Sequence, residues 1–192
     1  IPIDQLFELV DDNFICIDGY VGSALFNELV EDNKGIYSCS EYDSAGKCLK
    51  REYKKDAVLH IATFREKFGD DYYLEINKLD SETFAATKLV SNCIDEVAAS
   101  IGFKNLIAGA NIYYGEMADS KDHRILLCSK MRTTLNKVNK DLLKEDNYRH
   151  IRYFKSNSYY IPSKEEVQTY SKEQIKTVGE INEKCSSYTI LA

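Results

Sequence analysis

The sequence predicts an α/β protein in which most strands of the sheet are parallel. Three short apolar segments are each typical of a buried strand: 14–17, 72–76 and 106–110. The longest helical segment, 81–101, separates the last two. Its apolar face comprises Val90, Ile94, Val97 and Ile101. Strands separated by helices favour βαβ units, so we expect three parallel neighbours with helix 81–101 packed against them.

The N-terminal half gives further local signals. Pro2 suits the first turn of a helix whose apolar side holds Leu6, Phe7 and Val10. A second helix is predicted at 21–30, with Leu25, Phe26, Leu29 and Val30 on one side. Residues 33–52 are polar, and we interpret 36–42 and 48–53 as a β-hairpin around 44–47. A helix at 55–68 follows, ended by Gly69.

The C-terminal half is predicted to be mainly helical. Residues 119–131 have the period of a helix, and we expect four of its side chains to point inward: Ile125, Leu126, Cys128 and Met131. Ser163 and Ser171 each begin a capping-box pattern, so a helix is predicted after each. The apolar positions of the second are Ile175, Val178, Ile181 and Cys185.

Length and composition fit a single domain that occupies 1–192. The 192 residues are 44% hydrophobic and 29% charged, values typical of a globular protein. No apolar run is long enough to span a bilayer, and the first residues lack the pattern of a signal peptide. Six cysteines without a C-x-x-C pair are typical of reduced thiols, although Cys39 and Cys48 could form a disulfide across the hairpin. These features predict a cytoplasmic protein that does not bind a membrane.

The net charge of −6 argues against a dedicated nucleic-acid-binding protein, but the charge is uneven. Residues 121–155 contain ten Lys or Arg and four Asp or Glu. Such a segment is either a solvated surface or a contact for DNA phosphates or a protein partner. The candidate contact residues are Lys130, Arg132, Lys137 and Lys140.

The residues alone show no active site. The three histidines, His60, His123 and His150, belong to no H-x-H or H-E-x-x-H pattern, so we interpret each as a surface or packing residue. G-x-G-x-x-G, P-loop and G-x-S-x-G motifs are also missing from the sequence. No cofactor and no metal is therefore predicted.

Five segments, taken in order, resemble the polymerase-and-histidinol-phosphatase (PHP) domain of the DNA polymerase III alpha subunit of bacteria. The family pattern S-G-C-L-G-G is similar to 17–22, and F-G-x-x-x-Y-L-E is similar to 68–75. The pattern A-T-N-D-V-H-Y is similar to 108–114, and A-H-D-V-L-L-C is similar to 121–128. The fifth pattern, F-Y-L-K-S-P-E-E-M, is similar to 159–167. The resemblance implies part of a distorted (β/α)₇ barrel with mostly parallel strands. It also implies that the chain is a fragment of a PHP domain from a bacterial or phage polymerase, and that this fragment has an insertion at about 33–52.

The resemblance also implies that the metal site is degenerate. Active members hold a metal cluster at the strand ends, with an early H-x-H strand and D-H-G turn that would precede this chain. The later ligands Cys, Asp and His correspond here to Tyr20, Asn111 and Tyr113. A neutral amide and two phenols of pKa near 10 are poor ligands for such a cluster.

The function implied by the resemblance is therefore a non-catalytic, structural domain of a replicative DNA polymerase. Its partners would be the remainder of the polymerase chain and a proofreading exonuclease subunit, with weak contact to DNA. The first alternative is a metal-dependent phosphoesterase or 3′–5′ exonuclease whose missing ligands lie in a preceding segment. The second is an unrelated α/β interaction domain.

Overall fold

The computed structural model describes residues 2–20, 23–25, 38–42, 44, 48–52, 55–78, 85–142 and 157–186. In chain order, the helices and strands are α1 (Ile3–Leu9), β1 (Cys16–Asp18), β2 (Ser38–Tyr42), β3 (Cys48–Glu52), α2 (Lys55–Phe68), β4 (Tyr72–Asn77), α3 (Ala85–Ile101), β5 (Leu106–Gly109), α4 (Ser120–Lys130), α5 (Leu135–Leu142), α6 (Lys164–Val167) and α7 (Lys172–Cys185). Two short 3₁₀ helices lie at Gly69–Asp71 and Met117–Asp119.

Strands β1, β4 and β5 form an open sheet in that order. β1 and β4 are parallel, and their register pairs Cys16 with Tyr72 and Asp18 with Leu74. β5 is the parallel neighbour on the other side of β4, where the amide of Leu74 donates to the carbonyl of Asn105 over 2.9 Å. The prediction of three parallel neighbouring strands is confirmed. Within the described residues the sheet does not close into a barrel.

The chain divides into two compact units. The first comprises the described parts of Ile1–Ile76, Leu89–Ala108 and Tyr170–Ala192, and the second those of Asn77–Lys88 and Gly109–Thr169. The first unit contains most of the sheet and the helices packed on it. Its fully buried large side chains are Leu25, Ile61, Tyr72, Leu74, Ile76, Val90, Cys93, Ile94 and Val97.

The predicted apolar face of α3 forms much of this core. Val90, Ile94 and Val97 are at most 1% exposed, whereas Ile101 at the end of the helix is 36% exposed. Removing a side chain of this size from water contributes about 2 kcal/mol. β4 is buried along nearly its whole length, as expected for a central parallel strand that is covered on both faces. The core is therefore formed largely by α3 and β4, as the sequence predicts.

Helices α1 and α2 add an aromatic layer to the first unit. The ring of Phe7 meets Phe64 edge to face, with centroids 5.1 Å apart, and also contacts Phe68. α2 begins and ends where it is predicted, and Gly69 follows it at φ +58°. This left-handed conformation suits a residue that stops a helix.

The predicted hairpin is confirmed, with β2 and β3 antiparallel. Their register places Arg51 opposite Cys39 and Cys48 opposite Tyr42, so Cys39 and Cys48 are separated by about 10 Å along the strands. This spacing argues against the alternative of a disulfide, whose Cα atoms lie about 4.4–6.8 Å apart. The side chains of the hairpin lie outside the described residues. Four other cysteines are free thiols: Cys16, Cys93, Cys128 and Cys185.

In the second unit, α4 and α5 form a helical hairpin. Cys128 and Val138 are buried together, with Leu127 and Leu135 partly buried against them. The prediction that Ile125, Leu126 and Met131 point inward is wrong, because they are 47%, 69% and 49% exposed. The reason is that α5, which the sequence patterns did not predict, packs on the side of α4 that carries Leu127 and Cys128.

The turn between α4 and α5 is a Schellman motif. The amide of Thr133 donates to the carbonyl of Cys128 over 2.9 Å, and that of Arg132 donates to Ser129 over 3.2 Å. Arg132 has φ +51°, and it is the one residue other than glycine with a positive φ in the described part of the chain. A side chain in this conformation costs about 1 kcal/mol, so glycine would be favoured there on backbone grounds alone.

Both predicted capping boxes are present. The hydroxyl of Ser163 accepts from the amide of Glu166 over 3.2 Å, and that of Ser171 accepts from Gln174 over 3.1 Å. The helices that they begin, α6 and α7, differ in length. On α7 the side chains of Ile175 and Val178 remain 38% and 40% exposed in the described structure.

Some predicted features fall outside the described residues. The helix expected at 21–30 is described only at 23–25, and the helix expected from 81 is described from Ala85. His150 and much of the basic segment 121–155 also lie outside. No helix in the part of the chain that the structure describes is long and apolar enough to cross a membrane.

Candidate functional site

The carboxyl end of β1 carries a buried cluster of polar groups. Asp18, the last residue of the strand, is 5% exposed, and Ser23 is buried beside it. The amide of Gly19 donates to Oδ1 of Asp18 over 2.7 Å. The carboxyl ends of parallel strands are where α/β proteins most often bind ligands, so this end of the sheet is a candidate functional site.

His60 and Tyr72 complete the cluster from two other elements. Nε2 of His60 on α2 lies 2.6 Å from Oδ2 of Asp18, and the Tyr72 hydroxyl donates to the same oxygen over 3.3 Å. The imidazole of His60 stacks on Phe64 with centroids 4.3 Å apart. The charged partner and the aromatic neighbour hold His60 in the interior of the first unit. His60, which was expected to be a surface or packing residue, is therefore packed in the core.

The electrostatics of the cluster favour a fixed charge on Asp18. Burial would raise the pKa of this carboxyl group, but hydrogen bonds from His60 and Ser23 outweigh burial and lower the pKa. Burial and the nearby Asp18 charge raise the pKa of Tyr72, which therefore remains a phenol. Burial, with a smaller effect of the same charge, raises the pKa of Cys16 to about 12. Cys16 is thus a poor nucleophile at neutral pH.

Gly19 allows the chain to turn at the end of β1. Its φ is +94°, and a Cβ atom placed there would lie 2.7 Å from Cδ1 of Ile94 and 3.1 Å from the carbonyl oxygen of Glu75. Any other residue type would require the Ile94 side chain to move and the backbone at Glu75 to give slightly, in addition to adopting a strained φ. Immediately after this turn, the side chain of Tyr20 is 45% exposed. Asp18 thus lies in the core before the turn, and Tyr20 is partly exposed to solvent after it.

Asn111 and Tyr113 follow the carboxyl end of β5, in the second unit. The amides of Tyr113 and Tyr114 both donate to the carbonyl of Tyr159, over 2.8 and 3.2 Å. The amide of Ile161 donates to the carbonyl of Gly115 over 3.4 Å. The segment around Tyr159 thus runs beside the segment that carries Tyr113.

His123 on α4 lies within a group of tyrosine rings. Its imidazole stacks on Tyr113 with centroids 5.3 Å apart and an interplanar angle of 28°, and it also contacts Tyr114 and Tyr159. Burial, followed by the charge of Arg124, lowers the pKa of His123. The imidazole is therefore mostly neutral at physiological pH. The side chain of Tyr113 is 52% exposed, so this aromatic group reaches the protein surface.

The four candidate contact residues in the basic segment are all exposed. Lys130 ends α4, Arg132 lies in the turn after it, and Lys137 and Lys140 lie on α5. On α5, Lys137 and Lys140 are three residues apart and are therefore neighbours on an exposed part of the helix, whereas Val138 is buried. The structure places these cations on the α4–α5 hairpin.

The donors at the degenerate ligand positions do not fit a metal cluster. Asn111 is a neutral amide, and Tyr20 and Tyr113 are phenols with exposed side chains. Asp18 and His60 are donors of suitable type, but they are bonded to each other in the core. Among the described residues, no three His, Cys, Asp or Glu side chains lie close enough together to hold a metal ion.

Sequence comparison gives one informative similarity. The chain is 25% identical over 127 residues to the DNA polymerase III subunit alpha of Rickettsia conorii, a match that covers 64% of the chain and 10% of that protein. The chain therefore spans about a tenth of the length of this curated relative. No family model matches the sequence. The similarity supports a relationship between the chain and this polymerase subunit.

The sequence patterns did not reveal the cluster around Asp18. His60 and Tyr72 lie 42 and 54 residues from Asp18 in the sequence, so no local motif connects them. The available signal was the Asp18-Gly19 pair directly after an apolar strand, a pattern that by itself indicates only a turn. A carboxylate at the end of a buried parallel strand is also expected to have a hydrogen-bond or charge partner inside the protein.

Proposed function

We propose that this chain is a non-catalytic PHP-like domain of a replicative DNA polymerase, which supports the polymerase and provides docking surfaces for its partners. The observation that carries the proposal is the similarity to a DNA polymerase III alpha subunit over 127 residues. The name of this relative supports DNA replication as the process in which the chain takes part.

The arrangement of strands is compatible with a PHP-type domain. β1, β4 and β5 are parallel, and the polar β2–β3 hairpin is inserted between β1 and α2. In the proposed arrangement these strands are part of a distorted barrel, and the hairpin is the insertion expected at 33–52. Segments 108–114 and 159–167, which both resemble the family, contact each other through Tyr113 and Tyr159.

The chemistry of the strand ends supports a structural role. Tyr20, Asn111 and Tyr113 offer neither the anionic nor the imidazole ligands that a phosphoesterase needs to activate water. Asp18, the buried carboxylate at the end of β1, is bonded to His60 and Tyr72 and stabilises the fold. In this proposal the three positions are remnants of a metal site, and the domain acts through its surface.

Hydrolysis assays test the non-catalytic part of the proposal. The chain is incubated with Mn²⁺ or Zn²⁺ and either p-nitrophenyl phosphate or DNA labelled at its 3′ end. We expect no turnover above that of a protein-free control. Metal-dependent turnover that decreases in the Asn111→Ala variant, but not in the exposed control Asp122→Ala, would contradict the proposal and favour the phosphoesterase alternative.

Reconstitution tests the supporting role. The chain is mixed with the remaining polypeptide of the alpha-type polymerase from the same genome, and separately with its proofreading exonuclease subunit. We expect co-elution with the polymerase polypeptide and a higher melting temperature for the complex, because binding to the folded state stabilises it. Separate elution from both proteins, with unchanged melting, would contradict a structural role in the polymerase.

A further inference from the structure

One side of α4 combines aromatic, apolar and cationic side chains. His123, Leu126 and Lys130 are spaced at i, i+3 and i+7, so they lie on the same side of the helix. His123 and Lys130 are separated by about 10 Å along the axis. Tyr113 stacks on His123 at one end, and Arg132 lies in the turn after the helix, two residues beyond Lys130. We call these five residues the α4 strip.

The α4 strip is accessible to a ligand. Tyr113 is 52% exposed and Leu126 is 69% exposed, values that are high for side chains of these types. Lys130 and Arg132 are exposed, and neither makes a side-chain hydrogen bond or ion pair with another residue in the described ranges. Both cations are therefore available, within this part of the protein, to an anionic partner.

The position of Arg132 adds a second observation. It occupies the left-handed position of the Schellman turn, where glycine is the residue favoured by the backbone. A strained residue whose side chain extends into solvent suggests a role for that side chain. The turn thus presents a guanidinium group two residues after Lys130, at a backbone cost that packing does not explain.

We propose that the α4 strip binds single-stranded nucleic acid, with a base stacked near Tyr113 and the phosphate backbone running past Leu126 to Lys130 and Arg132. Exposed aromatic rings beside cations are the features by which proteins bind single strands without sequence preference. An acidic protein would use the two cations but would gain little from the ring of Tyr113. The lowered pKa of His123 agrees with a neutral, stacking imidazole in this strip.

Binding at the α4 strip is expected to be weak. Asp122 lies on the exposed surface of α4, and the whole chain carries a net charge of −6. We therefore expect a dissociation constant in the micromolar range at low salt. This inference goes beyond the proposed function, because it is measured on the chain alone and depends on neither hydrolysis nor assembly with a polymerase.

The test is a titration of the full chain against a fluorescent oligothymidylate of about 16 nucleotides, followed by anisotropy at several salt concentrations. The Tyr113→Ala variant is expected to bind about tenfold more weakly, because one base loses its stacking partner. Replacing Lys130 with Ala and Arg132 with Gly is expected to reduce the slope of log K against log salt by roughly 1.4, or 0.7 for each phosphate contact.

Lys121→Ala is the matched control. Lys121 is an exposed lysine on the same helix, but it lies nine residues before Lys130 and therefore about half a turn around the axis from it. We expect the wild-type affinity and salt slope. Melting temperatures check the fold of each variant, and Arg132→Gly should melt no lower than the wild type because it relieves the left-handed strain.

Two outcomes would overturn the inference. The first is wild-type affinity in the Tyr113→Ala variant, or an equal loss in Lys121→Ala, either of which would mean that the α4 strip does not bind the oligonucleotide. The second is displacement of the oligonucleotide by polyglutamate at equal charge concentration, which would indicate a surface for acidic proteins. Resistance to polyglutamate together with the expected loss in Tyr113→Ala would support the inference.

Discussion

Oδ2 of Asp18 and Nε2 of His60 lie 2.6 Å apart in the interior of the first unit, where both side chains are at most 6% exposed. The contact joins the end of β1 to α2, and the hydroxyl of Tyr72 adds a hydrogen bond from β4. A buried charge with this set of partners is sensitive to the loss of any one of them. The cluster is therefore expected to stabilise the fold of the first unit.

Replacing His60 with Ala should strongly destabilise the protein. The substitution leaves the Asp18 carboxylate in the core without its main partner, which costs about 3 kcal/mol of unfolding free energy. Urea denaturation followed by circular dichroism measures the change. His123→Ala is the matched control, and a loss of less than about 1 kcal/mol is expected there because His123 is only partly buried. Equal losses at the two histidines would contradict the prediction.

Acid should destabilise the protein through Asp18. The pKa of Asp18 is lowered in the folded state, so its contribution is present above the unfolded carboxyl pKa of about 3.9 and is lost as the pH falls through the folded value. We expect the difference in unfolding free energy between the wild type and Asp18→Asn to decrease between about pH 5 and about pH 3. Parallel pH profiles for the two proteins would count against this role.

Substitution of Gly19 should be far more harmful than substitution of another glycine with positive φ. In Gly19→Ala the new Cβ atom meets Ile94 and Glu75, so overpacking adds to backbone strain, and we expect a loss of about 3 kcal/mol. Gly102 has φ +67°, and a Cβ atom added there would meet no atom of the described residues within 4 Å. Gly102→Ala should therefore cost only about 1 kcal/mol. Urea midpoints at a constant m-value would show the difference, and similar losses would refute it.

Cys16 should react slowly with alkylating reagents in the native protein. Burial and the Asp18 charge raise its pKa to about 12, so almost no thiolate is present near pH 8. Mass spectrometry after treatment with iodoacetamide should show faster labelling of the exposed Cys185 than of Cys16. Both should react rapidly in urea, which controls for the reagent. Rapid labelling of Cys16 in the folded protein would contradict the environment described for it.

Duplex DNA should bind the isolated chain only weakly. The candidate contacts Lys130, Arg132, Lys137 and Lys140 are exposed, but four cations are few against a net charge of −6. Titration of labelled duplex at low and moderate salt should give a steep loss of an already weak affinity, and Lys137→Glu with Lys140→Glu should weaken it further. Sub-micromolar binding that these two changes abolish would show that the basic segment binds DNA as a primary function.

Local patterns predicted the elements better than their packing. α2 matches its predicted bounds, and both serine capping boxes are confirmed, because a helix end depends on residues within one turn. The inward face of α4 was predicted wrongly at Ile125 and Leu126, since the apolar residues on that helix cover more than one side. Only the packing of α5 through Val138 decides which side is buried.

The sequence predicted the three parallel strands, the bounds of α2 and the caps of α6 and α7, because periodicity and capping depend on a few neighbouring residues, but it did not predict α5. It also showed that Tyr20, Asn111 and Tyr113 offer only phenols and an amide. Tertiary structure alone brought Asp18 to His60 across 42 residues and exposed Tyr113 beside His123. Such contacts depend on how distant elements pack, and the energy of that packing is distributed over the whole core.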